Sequence, residues 1–391
     1  MERSLTIQDD NARTEPIESS ENTFHVSDPI YRENPETKSP GFHPISLADL
    51  LTQEPGDIPW KVEQIFPAEG VGIIGGTAGI GKSWLLMDLA IESARGGLWL
   101  DRFQVTPGRV LYIDEESSLP LASVRLRKLL TAKGIPSESL DIQFVMGQGV
   151  LLSSHSSVKH LSALIDRHRP DVVILDSLVR LHRADENSAT DMAKVFDTVK
   201  GLVRKFKCLF VFADHHRKPG PQESSGDSSL RGSSEKVAFV DTLLSLKKVR
   251  DHVLVEHSKS RFAQPVEPFE VALEEPVEGS VWIRVLGDHA AIRSAETKAK
   301  VMPFIQEVLN DGEWKSRREL VDLAQLRQIK ERELDQVLRE MVSETVERED
   351  RRIEGRRGGK TAHFRLRDSF HVPPIYIGEK SETKSSGQGA A

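Results

Sequence analysis

Eight consecutive residues, Gly76-Thr77-Ala78-Gly79-Ile80-Gly81-Lys82-Ser83, follow the spacing G-x-x-x-x-G-K-S. Glycines at these places let a backbone close around a triphosphate, so that successive N–H groups and a helix N-terminus face its oxygens. In such a loop Lys82 reaches the β- and γ-phosphates and the Ser83 hydroxyl holds Mg²⁺. A glycine-rich turn with a chance lysine has the same letters, so context decides. Val71-Gly72-Ile73-Ile74 reads as a buried strand just before the loop, and Trp84 to Ala90 opens a helical pattern just after it. All eight residues are therefore expected ligands of a nucleoside triphosphate.

Hydrolysis at such a loop needs a second acid for Mg²⁺ and a group that polarises the attacking water. Asp176 ends the run Val172-Val173-Ile174-Leu175, which brings it to the carboxyl edge of a sheet, where ligands of such sheets sit. It is the expected partner of Ser83 on the metal, although the same position also suits a helix cap before Ser177-Leu178. Val110-Leu111-Tyr112-Ile113 runs into Asp114-Glu115-Glu116, three carboxylates at another strand end. One of them can polarise water if it lies within hydrogen-bond reach; solvated loops carry such clusters too. His215-His216 follow the run Leu209–Ala213. Neighbouring histidines on an extended segment point to opposite faces, which argues against a metal pair.

These groups need a scaffold, and the apolar pattern supplies one. Short runs at Val71–Ile74, Val110–Ile113, Ile142–Val145, Val172–Leu175 and Leu209–Ala213 alternate with longer amphipathic stretches, the pattern of an α/β domain with a mostly parallel sheet flanked by helices. Thr242–Leu246 and Val253–Val255 are expected to extend the sheet as a hairpin, and Gly96-Gly97 to stop the helix after the phosphate loop. This domain is expected to span residues 45–290. Residues 1–44 form an acidic, proline-dotted leader and residues 371–391 a polar tail, both expected to be disordered.

Composition narrows the function. A formal net charge of −7 over 391 residues excludes a globally basic nucleic-acid coat, so any DNA-binding face is local. The single cysteine, Cys208, lies in an apolar run and reads as a reduced core residue; structural zinc is disfavoured without C-x-x-C pairs. The sequence opens without an apolar signal core and holds no run approaching a membrane span, so a cytoplasmic protein without membrane contact is expected.

The order of these motifs resembles the RecA-like ATPases, in particular the branch of RepA-type hexameric replicative helicases, over roughly residues 45 to 265. That branch pairs the phosphate loop with a strand ending in a catalytic glutamate, a strand-end aspartate, a strand ending in a histidine pair and lysine, and a later R-G-S-S segment. Here these are Val110 to Glu116, Ile174 to Leu178, His215-His216-Arg217-Lys218 and Arg231-Gly232-Ser233-Ser234. The resemblance implies ATP and Mg²⁺ as cofactors, Glu116 as the catalytic glutamate with Glu115 as fallback, and His216 as a sensor of the nucleotide. It implies that Arg231 reaches a neighbouring subunit's nucleotide as an arginine finger. Lys259-Ser260-Arg261 resembles the K-x-R element with which DnaB-type helicases touch the adjoining subunit's phosphates, except that Phe262-Ala263 follows where that element continues into glycine. Single-stranded or forked DNA as partner and a homo-oligomer, a hexamer, are the further implications. A stretch rich in Gly, Ser and Pro from Lys218 to Ser229 is the segment that would face such a strand, with few cations. The absence of an N-K-x-D guanine-reading motif agrees with adenine.

Beyond Arg293 the composition shifts, and residues 296–370 read as three helices and a glycine-broken hairpin, a winged-helix-like domain. Ser316-Arg317-Arg318-Glu319 forms a capping box before a helix carrying Leu320, Val321 and Leu323, and a longer helix places Leu334, Val337, Leu338 and Met341 on one face. The basic turn from Arg351 to Lys360 suits phosphate contacts. The reader helix carries Glu331, Glu333, Asp335 and Glu340, which disfavours base readout, and winged helices also dock proteins.

Overall fold

The computed structural model describes residues 45–52, 58–186, 188–215, 234–342, 344–352 and 360–367. It divides into two units, residues 1–57 and 58–391. In the first, Ser46 Oγ caps the short helix α1 (Leu47–Thr52) by accepting from Asp49 N, and every residue of that helix is exposed.

The second unit opens with the hairpin β1 (Trp60–Val62) and β2 (Phe66–Pro67), then runs β3 (Gly70–Gly76), α2 (Lys82–Arg95) and the small hairpin β4 (Leu98–Trp99) and β5 (Phe103–Gln104). Next come β6 (Val110–Asp114), α3 (Leu119–Lys133), β7 (Ile142–Met146), α4 (His155–His168), β8 (Val172–Asp176), α5 (Ala189–Phe206) and β9 (Leu209–His215). The five expected apolar runs are β3, β6, β7, β8 and β9, parallel in the spatial order β3-β9-β8-β6-β7. Their continuous apolar character follows from cover on both faces. Leu85, Leu89 and Leu129 from α2 and α3 pack on one face, and Val158, Leu161, Phe196 and Leu202 from α4 and α5 on the other. Gly96 ends α2 as expected, in the left-handed region with φ +79, its N–H donating to Glu92 O. Cys208 is buried, and burial pushes its thiol up to about 12.

Beyond the short helix α6 (Ser234–Phe239), β10 (Thr242–Val249) joins β3 in parallel and returns as the antiparallel β11 (His252–Ser260). The expected hairpin is therefore present. Two further antiparallel strands, β12 (Phe269–Glu274) and β13 (Trp282–Asp288), complete a nine-stranded, mostly parallel sheet. The sequence conceals these two because they alternate apolar residues with Glu270, Glu274 and Arg284 and are hemmed by prolines at 265, 268 and 276. β13 is the half-exposed edge strand, whereas β12 is largely buried between β11 and β13 and accommodates Glu270 in that setting.

The last elements are α7 (His289–Leu309), β14 (Lys315–Ser316), α8 (Arg317–Leu326), α9 (Glu331–Met341), β15 (Val346–Arg352) and β16 (Lys360–Leu366). They have their own core, including Val301, Ile305, Leu320, Leu334, Leu338, Val346 and Leu366, under a sheet ordered β14-β16-β15, which is a winged-helix-like arrangement. The Ser316–Glu319 capping box opens α8 as expected, and Leu334, Val337, Leu338 and Met341 are buried. Of the apolar residues that α8 carries, Leu323 is 38% exposed, because Leu320, Val321 and Ala324 fill the inward face of the helix. The composition shift near Arg293 falls inside α7, a continuous helix. On the expected wing, Arg348, Arg351 and Arg365 are paired with Asp350, Glu349 and Glu347, and Arg351 and Arg365 flank the Trp314 ring. Arg317 binds Glu331 and Asp335 of α9. Residues 353–359, with Arg356 and Arg357, lie outside the described residues.

Candidate nucleotide and catalytic site

Strand β3 delivers the loop at Gly76, where a Cβ would lie 2.8 Å from Ile80 Cγ2, so the turn closes only on glycine. Gly79 and Gly81 take left-handed φ values of +76 and +106. Thr77, Ala78 and Gly79 are exposed, while Ile80 anchors the loop in the core. Gly81 is the N-cap of α2 and provides no side-chain acceptor, so the first amides of that helix face outward with their partial positive charge. Lys82 Nζ folds back to donate to Gly76 O at 2.9 Å and Thr77 O at 3.0 Å. Burial lowers the Lys82 pKa, while Asp176, Glu116 and Asp214 act to hold it up.

Asp176 stands at the end of β8, 2% exposed. The Ser83 hydroxyl donates to its carboxylate, and so does Tyr112 Oη at 3.2 Å. Burial first, then the nearby Asp114 and Glu116, raise its pKa to about 6. Among the described residues no group of three or more His, Cys, Asp or Glu could hold a metal ion. One hydroxyl and one carboxylate beside open phosphate-binding amides fit a magnesium that takes its remaining ligands from substrate phosphates and water. The donor set thus suits Mg²⁺ with a triphosphate.

The three acids at the end of β6 make three different sets of contacts. Asp114 Oδ1 turns inward and accepts from Glu116 N at 2.9 Å and Ser117 N at 2.7 Å, which shapes the turn. Glu115 points away and accepts three backbone N–H groups, from Gln148, Gly149 and Val150 at 3.2, 3.0 and 3.0 Å, closing the loop after β7. Glu116 faces the phosphate loop. Ser177 Oγ donates to Glu116 Oε2 at 2.5 Å, and His215 Nε2 lies 3.4 Å from the same oxygen. The His215 hydrogen bond, then those of Ser177 and the charge of Lys82, hold Glu116 at about 2 against the opposing effect of burial. His215 Nδ1 is 3.3 Å from Lys82 Nζ. The tautomer protonated on Nε2 satisfies both partners.

The sequence points to the histidine pair but not to this arrangement. His215 is the ring found between Lys82 and Glu116; His216, Arg217, Lys218 and Arg231 lie outside the described residues. Tyr112 and Ser177 are also residues that motif reading passes over. A tyrosine in an otherwise aliphatic buried strand is itself a signal, because its hydroxyl must find a partner.

Lys259 and Arg261 lie at the far end of β11. Leu243 pairs with both Lys259 and Ile73, so Lys259 is level with a point three residues before Gly76 and two strands away. At about 3.3 Å per residue and 4.8 Å per strand this is roughly 14 Å from the loop. Both side chains are engaged nearby: Lys259 donates to Val237 O and Ala238 O, and Arg261 to Ala238 O and Asp241 Oδ1. They do not reach the phosphate loop of their own chain.

Comparison with known proteins finds distant similarities. Residues 36–221 match the family model described as AAA domain. DNA repair protein RadA of Listeria monocytogenes is 24% identical over 254 residues, 59% of this chain and 49% of that protein. RadA of Streptococcus pneumoniae is 22% identical over 291 residues, 66% and 61% of the two chains, and RadA of Escherichia coli 26% over 152 residues, 38% and 28%. The chain thus spans between about a quarter and three fifths of the length of these relatives. A solved structure described as the ATPase domain of G40P aligns with a TM-score of 0.44 and 14% identity, covering 60% of this chain and 94% of that one. No helix among the described residues is long and apolar enough to cross a membrane. A complete phosphate loop, a strand-end aspartate and a facing glutamate on a mostly parallel sheet are the parts of a P-loop ATPase site, and the stretch that holds most of them is similar to the AAA domain.

Proposed function

We propose that the protein is an ATP-hydrolysing DNA motor that works as an oligomer, in the manner of a RepA-type hexameric replicative helicase. The observation that carries the reading is the position of Glu116, turned toward Lys82 and held by Ser177 and His215. In this reading the loop amides and Lys82 hold the β- and γ-phosphates, and Ser83 and Asp176 hold Mg²⁺, which neutralises charge that develops on the phosphates. Glu116 accepts a hydrogen bond from the attacking water. A carboxylate at about 2 is a weak base, which suits a loose phosphoryl-transfer transition state in which the water is oriented rather than deprotonated beforehand.

Lys259 and Arg261 support the oligomeric part. Too far from their own loop, they can meet nucleotide phosphates only on another copy, after leaving the α6 carbonyls they now cap. Arg231 as the finger residue, His216 as the sensor and the winged-helix-like domain (residues 296–370) as a DNA- or protein-docking module belong to the same proposal. The test is strand separation. On a forked duplex with ATP and Mg²⁺ the parent protein displaces the annealed strand and Glu116→Gln does not. ATP hydrolysis stimulated by single-stranded DNA, with no displacement on any fork, refutes the helicase reading.

A second reading is a DNA-binding ATPase of repair that does not unwind; its support is the name DNA repair protein carried by the relatives.

A further inference from the structure

A second ionic cluster lies immediately behind the catalytic groups. Lys236, on α6, is fully buried; its Nζ lies 3.2 and 3.0 Å from the two oxygens of Asp214 and 3.4 Å from Glu186 Oε2. The Asp214 side chain is 1% exposed and that of Glu186 17%. Three segments meet at this ammonium: the end of β9, the stretch that follows Asp176 and β8, and α6.

Asp214 directly precedes His215, and alternation along β9 sends the two side chains to opposite faces. One face grips Lys236; the other presents the imidazole to Lys82 and Glu116. The strand end is therefore clamped from behind at the residue next to the one that meets the catalytic pair. Asp214 is also close enough to Lys82 to help hold up its pKa. An unpaired charge at any of these three positions is costly, because little water reaches them.

We infer that Lys236, Asp214 and Glu186 form a positioning unit for the ATPase site: the buried ammonium fixes the two carboxylates and, through the β9 backbone, sets His215 between Lys82 and Glu116. This rests on the hydrolytic reading of the site. Its consequence for rate follows from geometry, since displacement of a reacting group by about 1 Å costs on the order of a hundredfold.

The decisive variant is Asp214→Asn with Lys236→Met, which is close in size and leaves no unpaired partner between those two. Glu186→Gln, at the partly exposed rim, is the second. The expected result is a fall in kcat of about tenfold or more for the pair and a smaller one for Glu186→Gln, with the KM for ATP changed less than about twofold. The His215 ring resonances, identified by their loss in His215→Gln, are expected to shift in histidine-labelled full-length protein. A pair variant with the parent's melting temperature, kcat and His215 resonances overturns the inference. If the pair variant does not fold, unchanged kcat and His215 resonances in Glu186→Gln overturn it. A parent that binds ATP without turnover refutes the hydrolytic reading instead, and the resonance shift still decides the positioning claim.

Discussion

Glu115 and Glu116 are adjacent and alike, and the structure separates their tasks well enough to predict opposite phenotypes. Glu116→Gln keeps shape and hydrogen-bonding capacity but removes the charge that, in the proposed mechanism, orients water. General-base or water-polarising groups contribute about 10²- to 10⁴-fold, so kcat is expected to fall by that range while nucleotide affinity stays within a few fold. Glu115→Gln acts elsewhere. Its two oxygens accept from three backbone amides, Gln148 and Val150 on Oε1 and Gly149 on Oε2. A glutamine retains one acceptor oxygen, so at least one amide loses its partner and faces an N–H₂ group. A lost hydrogen bond to a charged acceptor in this partly exposed loop costs about 1–2 kcal/mol, a drop in Tm of a few degrees. Steady-state ATP hydrolysis and thermal denaturation of both variants separate the two. A Glu115→Gln variant that loses turnover while Glu116→Gln keeps it refutes the assignment and restores the fallback.

Other outcomes follow from the same site. Tyr112→Phe removes a donor to Asp176; outer-shell losses of this kind weaken metal affinity about tenfold or more, so the Mg²⁺ concentration needed for half-maximal ATP hydrolysis is expected to rise by that factor. Burial raises Asp176 to about 6 in the nucleotide-free protein, so below that pH a proton competes for the carboxylate. Mg²⁺-dependent nucleotide affinity, measured by titration calorimetry, is expected to fall toward about tenfold per unit below pH 6; Glu116, held at about 2, stays ionised throughout and does not contribute. Lys133 Nζ lies 2.9 Å from Asp88 and 2.8 Å from Glu92, all three buried between α2 and α3. Lys133→Met strands two carboxylates and is expected to cost about 3–5 kcal/mol of stability at pH 8. Burial already raises Asp88 to about 6, above its unfolded value near 3.8, so the folded state binds the proton more tightly. Its contribution to stability therefore declines as pH rises from 4 through 6, and thermal melts of the variant are expected to recover on acidification.

The parallel sheet and the phosphate loop were legible because their signals are local. Continuous apolar runs mark strands covered on both faces, and the glycine-lysine spacing carries its own chemistry. Asp176 was legible for the same reason, as the first acid after such a run. The division of labour in Asp114-Glu115-Glu116 was not, because it depends on which amides the loop at 148–150 offers, more than thirty residues away. Ser177 and His215 gain their places from strand neighbours rather than from sequence neighbours. Strands β12 and β13 stayed hidden because charged residues interrupt both: Glu270 and Glu274 in β12, which lies inside the sheet, and Arg284 and Asp288 in the edge strand β13. The wing arginines are paired across the strands, Arg365 with Glu347, and along β15 itself, Arg348 with Asp350 and Arg351 with Glu349, which a count of bases in the turn does not show.

A single comparison bears most directly on the central claim that Lys82 grips a magnesium-bound triphosphate for cleavage. ATP turnover by purified Lys82→Ala is measured against the parent, each with and without single-stranded DNA. The account predicts a loss of at least a hundredfold in both conditions, on the scale of removing a principal charge stabiliser. Parental turnover in the variant contradicts it.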